Sequence, residues 1–443
     1  MQAAGAYTNT ISSNDVNDGQ GIDRLMYRLE WIEQLKLRVL SRPSAKQVAQ
    51  VNPVVWKLGC TSFLTDISAE MVNSALPVYL VLYLRMSPLE YGAIDGLYNG
   101  LSVALVGLAA ALWADRTGRL KYVAVAGYGT SAVCKLLLLA AGGIWGWILA
   151  IVWLDRTGKG IRTAPRDAIL SLASSPSQLA TSFAVHRALD AGGSLLGPLV
   201  AFAALWWLPT RYDVVWIISF GFALLGVAVL WLFVRNPERG GQLPRREGSF
   251  KAAAALLFTR RFGSLASCGL LLSIVTLSDG FIYLLLQEKG GIGAGLFPLF
   301  YVATACFYML LSIPAGVVAD RLGRMPVLLA GYGVLGLIYL SLMTLSGASL
   351  WSVAVCLVLL GLFYAATEGV LMAMASALVP SEIRTSGLAL IVTVVGLGKL
   401  ISSVVFGWMW QAYGIGPSLV VFGVALAALL PIVGMCLRAA TRD

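Results

Sequence analysis

Residues 145–174 read WGWILAIVWLDRTGKGIRTAPRDAILSLAS. The first ten, Trp145 to Leu154, are apolar, but ten helical residues reach only about half of a bilayer core ~30 Å thick. To span, the helix must run on through Asp155, Arg156, Lys159, Arg162, Arg166 and Asp167. At 100° per residue, Asp155, Lys159, Arg162 and Arg166 return to one face, and Arg156, Thr163 and Asp167 form a second row beside it. On an insertion scale the aliphatic residues contribute roughly −4 kcal/mol, while the charged ones cost roughly +15 kcal/mol. Such a helix exists in a membrane only where neighbours shield it and its charges face partners or a water-filled cavity. The competing reading makes 155–175 a loop, which Gly158, Gly160 and Pro165 would suit. The rest of the chain favours the helix.

With 443 residues, 58% of them hydrophobic and 12% charged, and a mean hydropathy of +0.80, the chain falls in the helical membrane class. The net charge of +10 sits mostly in short loops, so topology explains it better than nucleic-acid binding. Cys60, Cys134, Cys268, Cys306, Cys356 and Cys436 lie in apolar segments with no CxxC spacing, which reads as free buried thiols rather than disulfides or a metal site. Residues 1–20 read as a disordered tail and 21–50 as an amphipathic helix on the membrane surface.

Twelve spans are expected, near 54–84, 91–113, 121–141, 146–172, 178–207, 212–234, 263–288, 295–319, 325–346, 351–378, 383–411 and 416–437. They form an N-terminal bundle (51–234) and a C-terminal bundle (263–437), with a basic linker at 235–262 and a tail at 438–443. Loops on one side carry Arg116, Arg119, Lys121, Arg235, Arg239, Arg321, Arg324 and Arg384; the other side has only Arg85, Arg211 and Lys289. The positive-inside bias puts both termini in the cytoplasm.

The halves repeat. Asp115-Arg-Thr-Gly-Arg119 follows the second span and Asp320-Arg-Leu-Gly-Arg324 the eighth, 205 residues apart; an Ala-Gly-Tyr-Gly follows each, at 126–129 and 330–333. Parallel six-helix repeats are a transporter architecture.

Gly316-Val-Val-Ala-Asp320-Arg321-Leu-Gly323-Arg324 resembles the cytoplasmic loop motif of the major facilitator superfamily. Its first-half copy has Asp115, Arg116, Gly118 and Arg119 in place but Ala111 at the leading glycine. Arg156-Thr-Gly-Lys-Gly160 resembles the family's fourth-helix RxxxG motif. Gly193-Ser-Leu-Leu-Gly197-Pro198 resembles the fifth-helix GP motif of exchangers, with Ala201 where a glycine is expected. The resemblance implies an all-α membrane fold of two pseudo-symmetric six-helix bundles, alternating access, and a cytoplasmic latch. The latch has a direct physical basis, since an Asp at a helix end can pair with an Arg and with a neighbouring helix N-terminus; Asp115 and Asp320 are its candidates.

Other spans supply partners for the fourth. Asp66 and Glu70 lie one turn apart on the first span, and Asp95 and Asn99 on the second; the fifth carries His186, Arg187 and Asp190. Six acids (Asp66, Glu70, Asp95, Asp155, Asp167, Asp190) thus meet six bases (Lys135, Arg156, Lys159, Arg162, Arg166, Arg187) in the first half. That balance argues for a paired, bistable network and against a simple anion trap. The second half has only Asp279, Glu368 and Lys399 mid-span, so coupling chemistry is expected in the first half. Asp66 with Arg156 is the preferred coupling pair, Glu70 being the alternative acid, because burial favours a protonated carboxyl and a nearby cation an ionised one. The only histidine, His186, is either a relay or a packing residue.

The spacing GxxxxGK[ST] is absent around Gly158-Lys159-Gly160, and no HExxH, GxSxG or Cys/His cluster occurs, so no enzyme, metal or cofactor is expected. The expectation is a monomeric multi-pass secondary transporter of the inner (plasma) membrane. It would move a small organic solute by proton-coupled export (antiport); proton-coupled uptake of a small solute, an anionic one included, is the alternative. Its partners are then substrate, protons and lipid, with no nucleic acid.

Overall fold

Asn52 starts the first helix. Its side-chain oxygen accepts from Val54 N at 2.9 Å, and Pro53 occupies the first helical position, where a missing N–H costs nothing. In the computed structural model, residues 51–99, 119–175, 178–236, 254–344, 350–380 and 383–442 are described. Their helices are α1 (Pro53–Val78), α2 (Pro88–Asn99), α3 (Leu120–Ala140), α4 (Trp145–Ala173), α5 (Leu179–Trp207), α6 (Tyr212–Phe233), α7 (Arg260–Ile274), α8 (Asp279–Gly290), α9 (Pro298–Leu322), α10 (Arg324–Thr344), α11 (Leu350–Leu378), α12 (Arg384–Tyr413) and α13 (Ile415–Arg442). The expected tail and surface helix at 1–50, most of the linker, and Asp115, Arg116 and Gly118 lie outside the described residues.

Every expected span coincides with helix, the second as far as Asn99. Nine stretches among the described residues are long and apolar enough to cross a membrane; α1, α2 and α4 are not among them. α4 is one helix from Trp145 to Ala173, so the loop reading of 155–175 falls. Its outer flanks include Trp147 and Trp153, 63% and 51% exposed, an apolar surface suited to lipid. Of the thiols expected to be buried, Cys134, Cys268 and Cys356 are, but Cys60, Cys306 and Cys436 are exposed. In a bilayer an apolar segment can present a thiol to lipid as readily as to a core.

Two spans depart from simple helices. The first continues beyond α1 as a single π turn over Tyr79–Tyr83. The seventh, expected to be continuous over 263–288, breaks between α7 and α8 at residues 275–278. Broken backbone at membrane depth survives only if its polar groups find partners. Tyr339 of α10 supplies two, its Oη donating to Val275 O and accepting from Leu277 N, each at 2.8 Å. Ser402 Oγ of α12 donates to Thr276 O at 2.6 Å, and Ser278 caps α8. At the other end, α13 continues to Arg442, past the expected limit at 437.

Packing repeats as the sequence does. α1 packs on α5 and α6 as α7 packs on α12 and α13; α3 packs on α4 and α6 as α10 packs on α11 and α13. The Ala-Gly-Tyr-Gly repeat serves these crossings. A Cβ at Gly127 would lie 2.7 Å from Gly158 O of α4, and one at Gly331 would lie 2.7 Å from Thr367 Cγ2 of α11. The repeats meet along α2–α12 and α5–α9.

Candidate functional site

The close crossing of α3 and α4 at Gly127 and Gly158 carries the charged face of α4 into the first bundle. There Asp155 is held from two sides, by Lys135 Nζ at 2.5 Å and Arg156 Nη2 at 2.9 Å, all three side chains being buried. The Arg156 guanidinium lies 3.6 Å from the Tyr98 ring centroid, and that of Arg162 lies 4.3 Å from the Tyr128 centroid, so aromatic faces take over part of their solvation. Arg162 Nη2 approaches Asp66 Oδ1 at 3.5 Å. Asp66 therefore meets Arg162, not the Arg156 expected from the sequence. Arg156 is six residues, about 1.7 turns, away on α4 and pairs with Asp155.

These contacts differ in kind. Losing one partner of a buried pair strands a charge and costs about 3–5 kcal/mol. Asp155, bound twice at short range, is a fixed element of the bundle. Asp66 makes the longest of these contacts and is the acid most readily released. A void of about 10 Å³, room for a single water, lies against Lys135, Asp155, Arg156, Lys159 and Arg162, with Thr65 and Ser68 of α1 opposite.

Further along α4, Arg166 takes the remaining first-bundle acids. It reaches Asp167 Oδ1 at 2.9 Å and Asp190 Oδ1 at 3.8 Å, and its Nη1 donates to Ser62 Oγ at 3.2 Å. Ser62 also contacts His186 Nε2 at 3.0 Å. Buried His186 is thus tied to α1 by a short polar contact, while Arg187 is exposed. Glu70 accepts from Asn73 at 2.8 Å. Asp190 also stands against Asp66 and Lys159, and Glu70 against Arg156 and Lys159, so the charges along α4 form one connected network, while Asp95 turns to the other repeat.

Asp95 is buried on α2 and accepts from Tyr91 Oη at 3.3 Å and from Ser403 Oγ of α12 at 2.8 Å, a link between the repeats. A second cavity, of about 60 Å³, lies at the α7–α8 break against Asn73 of α1, Ser278, Asp279, Tyr301, Tyr364 and Lys399. Tyr364 Oη donates to Asp279 there. Glu368, expected mid-pathway, is exposed. The Asn99 side chain lies outside the described residues.

The α2–α12 seam is glycine-lined. A Cβ at Gly92 would lie 2.3 Å from Ser403 O, one at Gly96 2.9 Å from Leu400 O, and one at Gly407 2.3 Å from Pro88 O. Near the same end, a Cβ at Gly295 would lie 3.6 Å from Leu205 O of α5. On the loop motif, Asp320 is exposed and lies 3.9 Å from Arg324, whose Nη1 donates to Ala373 O of α11 at 2.9 Å. Gly323 ends α9 at φ +99°, a conformation that favours glycine. Gly316 has open space around it, and Arg119 and Arg321 are exposed. The fifth-helix glycines are packing positions: Cβ atoms at Gly193 and Gly197 would lie 2.4 Å from Phe63 O and 2.7 Å from Ile67 O of α1, with Pro198 inside α5.

The sequence reading missed Tyr98 and Tyr128 as guanidinium platforms, Ser62 as a hub, and Ser403, Tyr364 and Asn73 at the second cavity. Tyr98 follows Asp95 by three residues and Tyr128 stands inside the repeated Ala-Gly-Tyr-Gly; those spacings were the available signals. Ser403 carried none.

Comparison with known proteins gives concordant matches. The model of the family described as Major Facilitator Superfamily matches residues 58–310 and 280–442. An uncharacterized MFS-type transporter of Methanocaldococcus jannaschii is 31% identical over 370 residues, covering 81% of this chain and 88% of its own. An uncharacterized protein of Mycobacterium tuberculosis is 26% identical over 393 residues, covering 86% and 91%. Among solved structures, the nucleoside transporter NupG superposes with a TM-score of 0.73 at 14% identity, covering 86% of this chain and 98% of that one. A POT family transporter in complex with 5-aminolevulinic acid superposes with a TM-score of 0.70 at 13% identity, covering 88% and 97%.

Proposed function

Because the chain belongs to the major facilitator superfamily, a family of membrane transporters, we propose that it carries a small organic solute across the inner membrane by proton-coupled alternating access. Twelve spans with both termini in the cytoplasm, the orientation the loop charges favour, would put Pro88, Gly295 and Tyr413 at the outer face and Asp320 at the inner face. On that orientation the glycine seam closes the outer side. The exposed Asp320 is then a latch residue released from its partner, as in an inward-facing carrier. Asp115 is its counterpart in the first repeat.

One observation carries the coupling: Asp66 is buried, and its ion pair among the described residues, with Arg162, is a long one at 3.5 Å. Asp190 and Lys159 stand close enough to take part in the same exchange of partners. Separation from Arg162 in one access state favours the protonated acid, and approach in the other favours release. Glu70 is the second acid in line. Export in exchange for protons is the preferred direction; uptake with protons, of an anionic solute included, is the second reading. The test reconstitutes the full chain in proteoliposomes with Asp66→Asn, Glu70→Gln or Arg162→Gln. A coupling acid spares solute exchange without a gradient and abolishes accumulation driven by a pH gradient. Normal accumulation in all three variants removes this site from the coupling mechanism.

A further inference from the structure

The cavity at the α7–α8 break holds two opposite charges that do not meet. Lys399 stands at the middle of α12 and Asp279 opens α8, and both line the same space of about 60 Å³. Asp279 accepts from Tyr364 Oη. Lys399 Nζ makes no ion pair or hydrogen bond among the described residues, and neither does the hydroxyl of Tyr301, although both residues line this cavity. An unpaired ammonium at the midpoint of a span is costly, and it marks a pathway or a partner that arrives from outside the protein.

The surrounding charges narrow the partner. Asp95 of α2 and Glu368 of α11 stand within electrostatic reach of this pair, the first held by Tyr91 and Ser403, the second exposed. Glu70, which accepts from Asn73, belongs to the α4 network near Arg156 and Lys159. A bare carboxylate drawn to Lys399 would be set against Asp279, Asp95 and Glu368, and a bare amine drawn to Asp279 would be set against Lys399. A group carrying both charges can lay each against its opposite. Size narrows the partner further. A space of this volume holds roughly four waters, so the two charges of the ligand must sit close together, as they do on a single α-carbon.

We infer that this cavity binds the α-amino-acid end of the transported solute, its ammonium on Asp279 and its carboxylate on Lys399 and the Tyr301 hydroxyl. Tyr364 holds the Asp279 carboxylate in place. The walls come from both repeats, Asn73 from the first and Asp279, Tyr301, Tyr364 and Lys399 from the second, so the ligand's contacts change as the repeats move. The inference rests on the transport reading, since it names the class of solute moved.

The test follows the melting temperature of the purified full chain in detergent, at fixed neutral pH and ionic strength, against three probes of similar size. L-Alanine carries both charges, L-alaninamide the ammonium alone and propanoate the carboxylate alone. L-Alanine is expected to raise the melting temperature saturably, with an apparent affinity at least about tenfold above either single-charge probe, a factor that one charge-assisted contact supplies. Lys399→Gln should cancel the preference for L-alanine over L-alaninamide, and Asp279→Asn the preference over propanoate. Each preference is a ratio within one variant, so a general loss of stability does not imitate its disappearance. L-Alanine without a saturable effect overturns the inference, and so does a preference over L-alaninamide that survives Lys399→Gln. Flux in proteoliposomes is read separately. Protein that accumulates a solute lacking either charge while ignoring L-alanine remains a transporter and loses this site. Saturable binding of L-alanine by protein that carries no solute supports the site and removes the transport reading.

Discussion

Replacing Gly92 and Gly407 with alanine should push the protein out of the conformation described here. At both positions the added Cβ meets backbone, lying 2.3 Å from Ser403 O or from Pro88 O. Ordinary contact begins near 3.4 Å, so α2 and α12 must part by about 1.1 Å. No side chain can swing away to absorb the overlap, and overpacking of this kind costs about 1–3 kcal/mol. The same separation would stretch the 2.8 Å bond from Ser403 Oγ to Asp95 out of range, and a hydrogen bond to a charged group contributes about 1.5–3 kcal/mol. The state in which the seam is already open pays neither cost. Together the two costs come to about 2.5–6 kcal/mol, so each substitution should shift the access equilibrium toward that state by roughly 10²- to 10⁴-fold, at about 1.4 kcal/mol per factor of ten. Spin labels on a cysteine-free background at Trp207→Cys and Tyr413→Cys, both exposed and on opposite repeats, would report the distance across this end. Gly129→Ala is the control, since nothing lies within 4 Å of that position. A distance distribution unchanged by Gly92→Ala and Gly407→Ala, or shifted equally by Gly129→Ala, would refute the reasoning.

Two other outcomes are expected. Asp320→Asn should slow transport severalfold yet leave the melting temperature within about 1 °C of the parent, because an exposed pair with Arg324 is worth under about 1 kcal/mol; a normal rate in flux assays would end the latch assignment. Tyr339→Phe should destabilise the protein by about 2–4 kcal/mol in thermal or denaturant unfolding, since it strands the buried N–H of Leu277 and the carbonyl of Val275, and an unaltered stability would show that the break is held by other groups.

Hydropathy located the helices because crossing a bilayer is a local demand on composition, met or failed within each run of residues. The repeat was legible for a related reason: Gly127 and Gly331 each serve a close crossing in its own half, and a shared steric need leaves a shared residue. Partner choice was less legible. Asp66 meets Arg162 rather than Arg156 because helix rotation and the Gly127–Gly158 approach decide which turn of α4 faces α1, and neither is written in spacing along one helix. Asp95 left the counted set for the same reason, since its partner Ser403 lies on α12. The α7–α8 break was hidden because its stabilisers, Tyr339 and Ser402, come from helices far along the chain, while the local sequence stays apolar enough to read as one span.

The break in the seventh span makes that span two levers rather than one. A continuous helix carries a push at one end to the other along its hydrogen-bond ladder, whereas α7 and α8 are joined by residues whose backbone is held from Tyr339 and Ser402. Those two residues stand on α10 and α12, so a shift of α10 against α12 is felt at the joint itself, beside Asp279 and Tyr364, before it reaches either end of the span.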